Sequence, residues 1–177
     1  MNISQIGFLG VHYFEDKSAI RGAILITDID TKPLEFRITS PVRPQNFQEI
    51  IYGELMHEYI AVDLIALPLI NALESKPDVI LVYDELLFNI CKKQTIPTLR
   101  VMESDAPLMS KKIDIKTLSS EDSNFPPIKV YTSEEFLDDL SSIVEKLKLV
   151  FAKRDLIEPF RRIERACIDV HNRDANN

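Results

Sequence analysis

Pro77-Asp78-Val79-Ile80-Leu81-Val82-Tyr83-Asp84 is the stretch whose reading decides the fold. Val79 to Val82 are four consecutive apolar residues, three of them β-branched, with a proline shortly before and an acid shortly after. Such a run predicts a short strand buried on both faces, the kind found inside a parallel or mixed α/β sheet. An acid at the carboxyl edge of that strand stands where open α/β sheets bind ligands, so Asp84 is the first site candidate. It also stands where a helix from Glu85 to Lys93 needs an N-cap, and the cap is its primary expected role.

Working back towards the N-terminus, Ile6 to Phe14 reads as a strand whose Gly7 and Gly10 suggest close backbone approach. A second strand is predicted from Ile20 to Thr27. Leu34 to Thr39 alternates apolar and polar side chains, as a half-exposed strand does. The short links between these three predict an antiparallel meander. Pro41 and Pro44 stop the sheet because neither can donate to a ladder. A helix is then expected near Gln45 or Asn46, with Phe47, Ile50, Ile51, Leu55 and Tyr59 on its buried face. Ile60 to Leu73 is apolar nearly all round, and Pro68 predicts a kink or restart there.

Beyond the central strand, Thr98 to Met102 and Ile128 to Tyr131 read as strands. Residues 103–127, with Ser119 to Asn124 and Pro126-Pro127, read as a mobile loop. Ser133 is expected to open a helix whose stripe is Phe136, Leu140, Ile143, Leu147 and Val150. A second stripe, Leu156, Phe160, Ile163, Cys167 and Val170, continues the rhythm after Pro159. The division expected is an α/β domain over 1–152 and a helical extension over 153–177.

Composition bounds the function. The chain has 177 residues, enough for one domain with a sizeable core, and carries a net charge of −7. The middle is acidic, with Glu49, Glu54, Glu58, Asp63, Glu74, Asp78, Asp84 and Glu85 against Lys76. That argues against a nucleic-acid footprint there, while the basic last third, including Arg161, Arg162 and Arg165, permits one. No apolar run approaches membrane-spanning length, and the first residues lack a signal-peptide pattern, so a cytoplasmic protein is expected. Cys91 and Cys167 are isolated and read as reduced thiols. His12, His57 and His171 lack zinc-site spacing, and Asp28 and Asp30 read as turn formers. With only four glycines, a phosphate-cradling loop is hard to build.

The order of elements (antiparallel meander, helix, buried strand, helix, strand, late helices) resembles the ribonuclease H-like superfamily, which includes endonuclease V and the nuclease domain of Argonaute proteins. The resemblance covers residues 6–152. It implies a mixed sheet and a site for two divalent ions, Mg2+ or Mn2+. The acids of that site stand in the first strand, on the first helix and at the end of the fourth strand. Asp84 falls at the fourth-strand position and Glu54 on the first helix, with Asp63 or Asp16 as further ligands. The first strand, Ile6-Gly7-Phe8-Leu9-Gly10-Val11-His12, departs from the pattern by carrying no carboxylate. A non-catalytic subunit or adaptor is therefore expected. Leu156, Phe160, Ile163 and Val170 would dock a protein partner or a second copy, and Arg43 would read an anionic group. The alternative is a metal-dependent nuclease using Asp84 and Glu54.

Overall fold

A computed structural model describes residues 2–14, 18–106, 114–119 and 125–175. Its centre is a seven-stranded mixed sheet in the order β3-β2-β1-β4-β5-β7-β6. β1 (Gln5–Phe14), β2 (Ala19–Asp28) and β3 (Pro33–Ile38) form the expected antiparallel meander. β4 (Val79–Val82) pairs in parallel with β1, Ile6 opposite Val79 and Leu9 opposite Val82. β5 (Thr98–Glu103) adds in parallel to the other side of β4. β6 (Lys116–Leu118) and β7 (Ile128–Thr132) complete the sheet with antiparallel pairings. Val79–Val82 is therefore the middle strand of the seven, buried at every residue.

The period of two along each strand sorts side chains into two cores. Ile6, Phe8, Leu25, Leu81, Val101 and Val130 face α5 (Leu137–Phe151) and α6 (Glu158–Ala175). Leu9, Ile24, Ile26, Ile80 and Val82 face the opposite layer. That layer comprises α2 (Met56–Tyr59), a π-helical stretch Ile60–Ala66, α3 (Leu67–Asn71) and α4 (Glu85–Phe88). No restart occurs at Pro68: the backbone stays helical through Ala66 and Leu67, and the proline follows directly on the π-helical stretch. Gly22 is required by the contact beneath it, since a Cβ there would lie 2.1 Å from Ile65 Cγ2.

Two expectations about the elements are corrected. In α1 (Asn46–Tyr52) no residue is buried, and Phe47, Ile50, Ile51 and Leu55 are all exposed. Gly53, at φ +54°, breaks the helix before it can lie along the sheet, so burial begins only at Met56. Within 103–127, Lys116–Leu118 is an edge strand rather than loop, because β7 offers it a free ladder. The remainder of that predicted loop falls partly on 107–113 and 120–124, outside the described residues. Among the described residues, no helix is long and apolar enough to cross a membrane.

The second apolar stripe is spent inside the chain. Leu156, Ile163 and Cys167 are fully or almost fully buried, and Phe160 sets its ring edge-on to Phe8 at 5.5 Å. Val170 is half-buried on the same helix. Arg21, itself buried, binds Asp174 near the end of α6 and donates to the Thr39 carbonyl at 3.2 Å. His171 stacks on Phe14 at 3.8 Å. The proposed docking face is thereby corrected: its apolar side chains are the glue between α6 and the sheet.

At the opposite edge, the Glu35 carboxylate clasps β3 to the chain entering β4. It accepts from the Glu74 and Ser75 amides at 3.1 and 3.2 Å and from Arg37 Nε at 2.8 Å. Desolvation pushes its pKa up, but the hydrogen bonds from Arg37, Glu74 and Ser75 outweigh it and hold the pKa down to about 2. A depressed carboxylate contributes stability above its unfolded pKa and loses it as the pH falls through the folded value. Glu35→Gln should therefore melt below the parent at pH 7. The gap should close between about pH 4, near the ordinary carboxylate pKa, and about pH 2. Parallel thermal melts across that range check this, and a pH-independent gap would refute the clasp.

Candidate functional site

Because β1 and β4 run in parallel, their carboxyl ends emerge side by side, and the chain leaves them in different directions. That is the place where an open α/β sheet leaves a crevice. The crevice here has a volume of about 490 Å³. Gly10, Val11 and His12 enter it from β1, Tyr83 to Glu85 from the end of β4, and Arg100 and Glu103 from β5. Ile157, Phe160, Arg161, Ile163 and Glu164 close it as a wall. A second cavity of about 510 Å³ shares Glu103, Ile157 and Arg161 with the first, so the two are adjacent along that wall.

Local structure fixes each side chain. Asp84 is extended, at φ −77° and ψ 136°, and its Oδ1 accepts from the Leu86 amide at 2.8 Å, so it caps α4 as expected. Phe160 packs against Tyr83 with ring centroids 5.8 Å apart, and Tyr83 is 40% exposed at the mouth of the crevice. Burial raises the Tyr83 pKa, the Glu103 and Asp105 charges raise it further, and Arg100 and Arg161 oppose them. Arg100 Nη1 donates to the Tyr131 hydroxyl at 2.9 Å and lies 3.6 Å from Glu85. Its Nε is buried and finds no acceptor among the described residues. His12 Nδ1 lies 3.7 Å from Glu164, an ion pair once the imidazole is protonated. Tyr13, behind them on β1, has its pKa raised by burial and by the Asp84 charge.

Of the residues singled out from sequence, Asp84, Phe160 and Ile163 come together here. Glu54 does not: it is exposed on the 3-10 turn Gly53–Leu55, after the glycine break, and lies outside the crevice lining. Asp63 is committed elsewhere, accepting from Lys93 Nζ at 2.7 and 2.9 Å. Arg43 is exposed beside Val42, whose backbone bridges to Ile20. Asp16 and Glu15 lie outside the described residues.

The fit to a divalent metal pair can be tested from the donors. Among the described residues, no group of three His, Cys, Asp or Glu side chains could hold a metal ion. The β1 segment in the crevice carries no carboxylate, and Ile163 sits directly on Gly10, with Cγ2 3.0 Å from where a Cβ would be. These residues do not fit the arrangement implied by the superfamily. What the crevice does offer is two guanidinium groups for an anion, an imidazole facing a carboxylate, and an exposed aromatic ring.

Sequence reading missed Tyr83, Arg100, Arg161, His12 and Glu164 as a set. The signal available was position: Arg100 is a charged residue between buried Leu99 and Val101, and Tyr83 directly follows the central strand. Arg161 and Glu164 flank the apolar stripe of α6 and read as a solvated face until α6 is placed over β1.

No protein-family model matches the sequence, and no curated protein matches it. Solved structures do. The chain is similar to endonuclease V from Bacillus subtilis, with a TM-score of 0.62 at 17% identity over 99% of this chain and 84% of that one. Endonuclease V from Streptomyces avermitilis gives 0.61 at 14% identity, over 98% and 83%. Endonuclease V (D234N) from Ciona intestinalis, in complex with a 23mer DNA containing an inosine, gives 0.50 at 12% identity over 81% and 77%. At these identities the likeness is one of fold, and it bears out the ribonuclease H-like order. It also corrects the expectation of a non-catalytic adaptor, because the proteins sharing this fold along nearly the whole chain are endonucleases.

Asp84 can be dissected by its two roles. Asp84→Ala removes the cap and should cost about 0.5–2 kcal/mol in urea unfolding. Asp84→Asn, whose side-chain oxygen still accepts from Leu86, should stay close to the parent. Equal losses in both would show that the charge, not the cap, carries the stability.

Proposed function

We propose that this chain is a nuclease that works on nucleic-acid strands in the crevice beside Asp84. The observation that carries the reading is the crevice itself. At the carboxyl ends of β1 and β4 it gathers Asp84, two arginines and a histidine facing a carboxylate. The fold around it is the one seen in endonuclease V structures, one of which holds DNA.

A phosphodiester resting against Arg100 and Arg161 has its charge matched by two guanidinium groups, which also favour the extra charge of the transition state. His12, which faces Glu164 at 3.7 Å, is the group that takes the proton of the attacking water. The water oxygen bonds to phosphorus, the bond from phosphorus to one sugar oxygen breaks, and that oxygen leaves with a proton from solvent. Asp84 orders the turn that presents Tyr83 and Glu85 to the strand.

The test is incubation of the full chain with end-labelled DNA and RNA, single-stranded and duplex, with and without inosine. Each substrate is run in Mg2+, in Mn2+ and in chelator. Cleavage should appear and should fall about 100-fold or more in His12→Ala, the low end of a lost general base. No cut product from any substrate would overturn the reading, and retained binding without cleavage would assign the crevice a strand-holding role instead.

A further inference from the structure

We propose, resting on the reading that the crevice handles nucleic acid, that it takes an unpaired nucleotide of a single strand, with Tyr83 as the stacking platform for its base. Three observations lead there. Tyr83 is 40% exposed at the mouth while Phe160 backs it at 5.8 Å, so the ring is held in place with open surface to offer. Base–aromatic stacking uses such a surface and is tolerant of sequence. Arg100 is only 16% exposed, and its Nε is buried without an acceptor among the described residues. Arg100 lines the crevice, so its guanidinium stands where an oxygen of a phosphate or a base edge would be met.

The third observation is steric. Ile163 is locked onto Gly10 and Phe160 onto Phe8, so α6 stands fixed over the end of β1. The crevice is of nucleotide size at about 490 Å³, and the adjoining cavity of about 510 Å³ continues past Arg161. A strand can thread from one to the other with a phosphate at Arg161 between them. A duplex cannot bring its stacked, paired bases to Tyr83 without first unpairing one, at the cost of lost stacking and pairing. Among the carboxylates around the path, Glu85 is already matched by Arg100.

The experiment is fluorescence anisotropy of a labelled single-stranded oligothymidine against the same strand in duplex. Each sample is recovered on a denaturing gel, so that binding and cleavage are read separately. The single strand should bind at least ten-fold tighter than the duplex. Tyr83→Ala should weaken single-strand binding about ten-fold, while Tyr83→Phe, which keeps the platform, should stay within about two-fold. Arg161→Ala should reduce the salt slope by about one phosphate contact. Duplex binding as tight as the single strand, or Tyr83→Ala binding like the parent, would overturn the proposal whether or not the chain cleaves. Intact strands with Tyr83-dependent binding would uphold it while the nuclease reading fails.

Discussion

The parallel pairing of β1 with β4 is the constraint on which the structure depends. Ile6 to Leu9 and Val79 to Val82 are matched residue for residue, and both strands bury side chains on two faces at once. A strand buried on both sides must be apolar throughout and must be covered by helices above and below, which sets the three-layer arrangement. The same pairing puts the exits of both strands at one edge. His12 and Tyr83 reach the crevice from those two strands, and Arg100 from β5 beside them.

α6 turns that edge into a site. Its apolar stripe belongs to the core, with Ile163 in the space left by Gly10 and Phe160 between Phe8 and Tyr83. Its polar side then carries Arg161 and Glu164 into the crevice, opposite the strand ends. Gly10 in β1 is thus a packing device. A Cβ at Gly10 would lie 3.0 Å from Ile163 Cγ2, a tight contact, so the close seating of α6 favours glycine there.

Much of this was legible beforehand. Val79 to Val82 announced a buried strand and Asp84 before Glu85 a helix cap, and both are found. The alternation of Leu34 to Thr39 announced a half-exposed strand; the strand is there, but its apolar Leu34 and Phe36 are exposed. The stripe of α1 misled because periodicity reports which residues share a face, not whether anything covers that face. Gly53 ends α1 too early for the sheet to reach it. The α6 stripe misled in the opposite sense: its partner was sought outside the chain, although β1 and β2 lay ready for it. The site was the least legible part because its members come from strands far apart in sequence. Their meeting depends on sheet order, which no local pattern encodes.

The central claim is that the nucleic-acid strand lies along the crevice between the sheet edge and α6. The most direct measurement is photo-crosslinking of a single-stranded oligonucleotide carrying iodouridine, with the attached peptides located by mass spectrometry. Crosslinks should concentrate at Tyr83 and Phe160, the aromatic side chains that meet beside the crevice. Crosslinks confined to the exposed Phe47 and Tyr52 of α1, with the crevice untouched, would contradict it.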